Sequence, residues 1–491
     1  MNIRSAHFLP GTNKRLGDKY LLLECLGDGS HGWVWRAERL SDGAIVAVKI
    51  PKDLTKDDRL LAEGKELLTI DAHPNIVRIC DMGRIPPENE WFFIEMEYFP
   101  SQSLAQKLEQ RNQHFGNTFE RLFGIYAQVL DAVGFLAKLT TPISHGDIKP
   151  HNILVGAGDL VKLTDFGSSA LPEEIYVRTR ENGGTVLYAA PEFSDSVSRK
   201  GSFEDLLRGD IYSLGVLLYQ LLTGQLPHDT PSQVRRHAPF KQPSEINANI
   251  VPSIDALILR CLERTPSGRY SDIDSLRIAF EFARQQQLNN PQYALSISNQ
   301  RVADDWSTSV VNALEIQDYV KAARIAEAEF ARSGDHGALL QHLNALYRGN
   351  RLFELEGVFE GAYRAGMAGG EDIKAIRLLA IKTFLSLRKI DRAKSLLNEA
   401  KALDGESLEQ DFLLATLFGL EANFTAARQS LEAINRKSPS KPQVLIRLIQ
   451  VCEQMRDYAA AVGYLRHALR VVKSSKELDL KRLRYQELGL W

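Results

Sequence analysis

Between His145 and Asn152 the chain reads His-Gly-Asp-Ile-Lys-Pro-His-Asn, and Ile153-Leu154-Val155 follows directly. Within eight residues a carboxylate, an ammonium and an amide stand between apolar positions that would anchor the loop to a core. A second carboxylate, in Asp165-Phe166-Gly167, comes a short distance further on. One pair of loops can therefore present Asp147, Lys149, Asn152 and Asp165 to a single cleft. Phosphoryl transfer needs that inventory: an acceptor for a hydroxyl proton, a cation beside the moving phosphate, and two oxygen ligands for magnesium.

The 491 residues exceed one ordinary core, so two or three domains are expected. Apolar residues at 44% and charged residues at 25% are ordinary for a soluble chain. A formal net charge of -2 gives no global electrostatic case for nucleic acid or an anionic membrane. No apolar run is long enough to span a bilayer, and Met1 to Pro10 lacks the apolar core of a signal peptide. Cys25, Cys80, Cys261 and Cys452 are dispersed, which suits reduced core cysteines better than a zinc site or a disulfide framework. The expectation is a cytoplasmic chain.

Upstream, Tyr20 to Leu26 reads as a strand running into Gly27-Asp28-Gly29-Ser30-His31-Gly32-Trp33-Val34. Three glycines let a hairpin lie close over a phosphate chain with its N–H groups facing it. The pattern sits between strands, not at the start of a helix as a dinucleotide fold requires. A further strand, Ala44 to Ile50, carries Lys49 among small and β-branched residues. The acidic-apolar segment Asp58 to Ile70 reads as a helix bearing Glu63 and Glu66 three apart on one face. Leu67 and Ile70 complete a packing stripe with Glu63, which favours that residue over Glu66. Phe92 to Tyr98 is a strand entering a polar, proline-marked turn. Phe119 to Leu139 has helical apolar spacing, with Leu122, Ile125, Tyr126, Val129, Val133 and Leu136 along one side.

In this order the motifs resemble the protein kinase superfamily over about residues 14 to 285. Gly27, Gly29, Gly32 and Val34 match its glycine-rich loop, and Val46-Ala47-Val48-Lys49 matches V-A-I-K. Gly184 to Glu192 resembles the peptide-positioning loop and A-P-E motif. Asp210-Ile211-Tyr212-Ser213-Leu214-Gly215 resembles D-x-W-S-x-G with tyrosine for tryptophan. The resemblance implies ATP and Mg2+ as cofactors. It implies that Lys49 contacts the α- and β-phosphates and pairs with Glu63, and that Asp147 orients the acceptor hydroxyl. Lys149 would stabilise the γ-phosphate, and Asn152 and Asp165 would ligate magnesium. Leu26, Ala47, Met96 as gatekeeper, Glu97, Tyr98 and Leu154 would enclose the adenine. Thr185 would position peptide, Asp210 would have a structural or substrate-positioning role, and Arg269 would pair with Glu192. Gly146 departs from the usual arginine, which removes a charge-paired activation switch.

Gln285 to Asp305 is polar and without periodicity, and from there to Trp491 the composition shifts to Ala, Leu, Glu, Lys and Arg at helical spacing. Ala393, Ala427 and Ala461 recur at 34-residue intervals, each followed one turn later by Leu397, Leu431 or Leu465. Ala322 and a degenerate unit around Leu355 extend the series backwards. This resembles about five tetratricopeptide repeats, with an irregular helical bundle as the alternative. Leu478 to Trp491 reads as a capping helix or docking tail.

The expected architecture is an α+β two-lobed protein kinase fold followed by an all-α, TPR-like helical-repeat solenoid. Its parts are a lead over 1–13, lobes over 14–98 and 99–285, a linker over 286–304, and repeats over 305–491. The expected function is a serine/threonine protein kinase with a protein substrate and a peptide or protein partner on the repeats, without nucleic acid or a membrane span. A pseudokinase scaffold has no use for Lys49, Asp147, Asn152 and Asp165 together. A small-molecule phosphotransferase has no use for the Glu192–Arg269 arrangement.

Overall fold

The computed structural model describes residues 10–29, 32–51, 68, 71–85, 91–109, 118–165, 185–194, 202–289, 306–367, 370–405, 407–439, 441–471 and 476–491. The chain divides into two compact units, Met1–Asp318 and Tyr319–Trp491.

The first unit opens with β1 (Arg15–Leu16), β2 (Tyr20–Gly29), β3 (Gly32–Arg39), β4 (Ile45–Pro51), β5 (Ile79–Ile85) and β6 (Trp91–Glu97). They pair antiparallel in the order β1-β2-β3-β4-β6-β5. Alternate residues Val46, Val48 and Ile50 of β4 enter one apolar layer with Tyr20, Leu22, Trp35 and Phe93, as a period of two requires. Ala47 and Lys49 thereby fall on the opposite face. Buried Glu95 is held by the Tyr20 hydroxyl at 2.6 Å and by Arg39 Nη2 at 2.8 Å, the partners a desolvated carboxylate needs. Burial and that carboxylate push the Tyr20 hydroxyl well above its ordinary pKa.

The second lobe gathers α1 (Phe119–Ala137), α2 (Phe203–Thr223), α3 (Pro252–Cys261) and α4 (Ile273–Leu288) around a short sheet. That sheet is β7 (Gln102–Ser103), β8 (Ile153–Val155) and β9 (Val161–Leu163), paired antiparallel. The Thr118 side chain caps α1, and the apolar stripe from Leu122 to Leu136 is buried as its spacing predicts. A Ser202–Asp205 capping box opens α2, and Gly224 in the left-handed region closes it. Gly215 lies where α2 meets α3: a Cβ there would stand 2.5 Å from the Cβ of Cys261. Gly215→Ala is expected to cost about 1–3 kcal/mol through overpacking, read as an earlier urea midpoint for this unit.

Two boundaries differ from the sequence expectation. Helix α4 runs to Leu288, past the linker start expected at 286, because Gln287 is buried and bonds Val251 N at 2.9 Å and Asn249 O at 2.8 Å. Helix α5 (Trp306–Glu315) belongs to the first unit, although residue 305 was the expected start of the repeats. Its Val311, 1% exposed, joins the apolar cluster that α1 to α4 share.

The second unit is entirely helical among its described residues: α6 (Tyr319–Ser333), α7 (His336–Arg348), α8 (Leu352–Ala365), α9 (Glu371–Ser386), α10 (Ile390–Asp404), α11 (Leu408–Leu420), α12 (Phe424–Lys437), α13 (Pro442–Gln454), α14 (Tyr458–Val471) and α15 (Lys476–Glu487). Ala322, Leu355, Ala393, Ala427 and Ala461 are all fully buried, as are Leu431 and Leu465. One turn recurs. Asn350, Arg388, Ala422 and Arg456 have φ of 54°, 56°, 58° and 61°. After each, a backbone N–H reaches back five residues: Arg351 to Leu346, Lys389 to Phe384, Asn423 to Phe418 and Asp457 to Cys452. That is the six-to-one closure of a Schellman turn. This repeating all-α architecture is the solenoid expected from the 34-residue period. On α15, Leu478 and Tyr485 are buried whereas Leu483 is exposed, as is Leu488 just past its end. The cysteines are free; Cys261 and Cys452 are core residues, but Cys25 is exposed, because it lies in the solvent-facing end of β2.

Candidate active site

The loop from Ser144 to Asn152 is tied down by one buried side chain. Asp210, 0% exposed on α2, accepts from the Ser144 hydroxyl at 2.6 Å, His145 N at 2.7 Å and Gly146 N at 2.9 Å. Gly146 has φ of 82°, a conformation that costs any side chain bearing a Cβ roughly 1–2 kcal/mol. His145 sets the next turn: its Nδ1 accepts from Asp147 N at 3.2 Å, so the proton sits on Nε2, which donates to Thr164 O at 3.1 Å. Burial lowers its pKa and keeps the ring neutral.

Asp147 and Asn152 then face each other. Asn152 Nδ2 donates to Asp147 O at 2.8 Å and to Asp147 Oδ2 at 2.9 Å. The amide nitrogen is therefore committed to the loop, which leaves the amide oxygen as the end suited to a hard cation. Lys149 Nζ lies 3.2 Å from Asp147 Oδ2. Burial alone would pull the Lys149 pKa down, but the carboxylates of Asp147 and Glu315 override it and hold the ammonium charged. Neighbouring His151 is half-buried, its buried Nδ1 has no hydrogen-bond partner among the described residues, and desolvation lowers its pKa to about 4.

Across the cleft, Lys49 Nζ donates to Asp165 Oδ1 at 2.6 Å. Asp165 adopts φ of 59°, one of the few non-glycine side chains that tolerates the left-handed region. Above them Ala47, Met96, Val34 and Leu154 come together in one small apolar cluster with Val77, Ile79 and Ile94. Strand register does this, since Ala47 pairs with Met96 and Val34 with Lys49. At the strand end, Glu97 N donates to Arg78 O and the Glu97 carboxylate accepts from Lys162 at 2.7 Å. Gly27 and Gly29 of β2 pair opposite Val34 and Gly32 of β3, so the glycines flank the hairpin tip; Leu26 is 43% exposed. Arg269 and Glu192 form a two-pronged pair at 2.7 and 2.8 Å. Thr185 opens a short 3-10 turn. Glu63 and Glu66 lie outside the described residues.

One residue of this cluster was missed from sequence. Glu315, at the end of α5, places both carboxylate oxygens 3.2 Å from Lys149 Nζ. No local motif announces it, because the contact joins positions 166 residues apart.

The family described as "Protein kinase domain" matches residues 20–288, more than half of the chain. The chain belongs to the protein kinase family. It is 33% identical over 267 residues to the probable serine/threonine-protein kinase CPE1738 of Clostridium perfringens, covering 52% of this chain and 37% of that protein. It is 29% identical over 331 residues to the serine/threonine-protein kinase PrkC of Bacillus subtilis, covering 64% and 47%. The kinase domain of Mycobacterium tuberculosis PknI superposes with a TM-score of 0.43 at 20% identity, over 56% of this chain and 99% of that one. The chain spans 37% and 47% of the length of these two curated relatives.

Proposed function

We propose that this chain transfers the γ-phosphate of ATP, with magnesium, to serine or threonine hydroxyls of protein substrates. The observation that carries the reading is the convergence of Asp147, Lys149, Asn152 and the Lys49–Asp165 pair beneath the Ala47–Met96–Leu154 cluster. The apolar cluster would take the adenine, with Leu26, Val34 and the strand end at Glu97 and Tyr98 completing its walls. Gly27, Gly29 and Gly32 would approach the phosphates. Lys49 would hold the α- and β-phosphates, with Glu63 as its helix partner.

Magnesium would be held by Asp165 and the amide oxygen of Asn152, two hard oxygen donors of the kind it selects. When bound, it neutralises charge on the phosphates. Among the described residues no three His, Cys, Asp or Glu side chains gather into a metal cluster, which suits an ion completed by substrate oxygens and water. Asp147, fixed by Asn152, would orient the acceptor hydroxyl and take its proton, while Lys149 would face the transferring phosphate. Thr185 and the segment to Glu192, anchored by Arg269, would align the peptide.

No described helix is long and apolar enough to cross a membrane. A cytoplasmic location is part of the proposal and rests on the sequence expectation. The repeats would hold a peptide or partner protein on a concave surface, as helical solenoids do. The test is transfer of label from radioactive ATP to casein by the full chain, with and without magnesium, beside Lys49→Met. Magnesium-dependent label lost in the variant is the expected result. Equal label in both, or label only on small-molecule acceptors, would refute the reading.

A further inference from the structure

Lys149 is already engaged. Its ammonium, 4% exposed, lies 3.2 Å from Asp147 Oδ2 and 3.2 Å from each oxygen of Glu315, whose side chain is 9% exposed. Glu315 is supplied by α5, beyond the segment that matches the family. Two further contacts seat that helix on the helical lobe. Val311 enters the apolar cluster of α1 to α4. Gln220 Nε2 of α2 reaches Thr308 Oγ1 at 3.5 Å, the long end of a hydrogen bond, while Gln220 Oε1 accepts from the Tyr188 hydroxyl at 2.7 Å. Helix α5 is therefore linked both to the catalytic loop and, through Gln220, to the segment ending in Glu192.

We propose that α5 is an internal plug, with the Glu315 carboxylate occupying the place on Lys149 that a transferring phosphate requires. The inference rests on the kinase reading of Asp147 and Lys149. A carboxylate at that ammonium does two things. It satisfies the charge that would otherwise stabilise the phosphate, and it sets an anion where a second anion has to come. Access is closed as well, since Asp147 is 8% exposed and Lys149 3%. An acceptor hydroxyl reaches Asp147 only after α5 withdraws. Glutamate is inert in the role: its carboxylate resembles the phosphate's charge without offering a hydroxyl to modify.

The experiment compares the full chain with Glu315→Gln, Glu315→Asp and the double variant Glu315→Gln/Asp147→Asn. Transfer to casein, binding of a non-hydrolysable ATP analogue, and acetylation of Lys149 mapped by mass spectrometry are measured on each. Glu315→Gln keeps Asp147 beside Lys149, so the fold retains one partner for the buried ammonium. The expected result is a kcat about tenfold or more above the parent chain, analogue affinity within about twofold, and Lys149 newly open to acetylation. Glu315→Asp, one methylene shorter but still charged, should fall between the two, and the double variant should be inactive. An unchanged or lower rate in Glu315→Gln, with the parent active and the double variant dead, would overturn the plug and leave the kinase reading standing. Analogue binding without transfer in any variant would instead sink the kinase reading. Should Glu315→Gln fold poorly, Glu315→Asp with Lys149 acetylation still decides, because a plug predicts partial exposure and a structural strut predicts none.

Discussion

Arg269→Met should lower the stability of the first unit by about 3–5 kcal/mol, chiefly from three carbonyls left without donors at roughly 1–3 kcal/mol each, with the 25% exposed Glu192 carboxylate adding less. The guanidinium is 0% exposed, and all five of its N–H donors are engaged. Nε donates to Glu263 O at 2.8 Å. Nη1 donates to Glu192 Oε1 at 2.7 Å and Arg208 O at 3.0 Å. Nη2 donates to Glu192 Oε2 at 2.8 Å and Arg264 O at 3.0 Å. The Tyr212 ring lies against it, 5.0 Å from Cζ to centroid. Methionine would fill much of the volume and strand one carboxylate and three carbonyls. Lysine offers no rescue, because a point charge with three donors cannot serve a planar fork of acceptors. Glu192→Gln should cost less, about 1–3 kcal/mol, since a neutral group is cheaper to leave imperfectly paired. Thermal unfolding followed by tryptophan fluorescence checks the order. A drop in Tm on the order of 10 °C for Arg269→Met is expected, and a melt within about 2 °C of the parent would refute this account of the corner.

What could be read from sequence was whatever short spacing determines. The stripe on α1, the alternation on β4 and the alanine period of the repeats each depend on neighbours within a turn, a strand or a hairpin, and the structure buries those residues accordingly. The juxtaposition of Asp147, Lys149 and Asn152 follows from five residues of loop. The pairing of Lys49 with Asp165 crosses 116 positions and was not anticipated, since the family resemblance pairs Lys49 with a helix glutamate. Contacts with no motif stayed invisible. Val311 and Glu315 lie on a helix whose composition matches the repeats that follow, so the domain boundary was drawn before it. Their attachment to the first unit is decided by a packing surface and an ion pair, neither of which leaves a periodic trace. The glutamate on the Asp58 to Ile70 segment is a different case, since two candidates on one helical face satisfy the same local pattern.

Asp147→Asn and Asp165→Asn should separate chemistry from nucleotide binding. Asparagine is the right replacement at 165, because the backbone there has φ of 59° and alanine would add strain to the loss of charge. The substitution halves the carboxylate and removes the anion that faces Lys49 at 2.6 Å. Both the magnesium site and the fixed position of the lysine would weaken, so affinity for Mg-ATP analogue should fall together with transfer, each by about tenfold or more. Asp147 stands elsewhere in the economy of the site. Its carboxylate accepts from Asn152 Nδ2 at 2.9 Å and neighbours Lys149, whereas Lys49 is held by Asp165. Asparagine there can still accept from Asn152 through its oxygen, so the loop keeps its shape while losing the base. Transfer should fall by about 10²–10⁴-fold, the usual contribution of a positioned acid or base, with analogue affinity within about twofold. Equilibrium binding with and without magnesium, beside single-turnover transfer in the Glu315→Gln background, supplies both numbers. Equal losses of affinity in the two variants would mean that Asp147 and Asp165 serve one function, and the division of labour assigned to the two loops would be wrong.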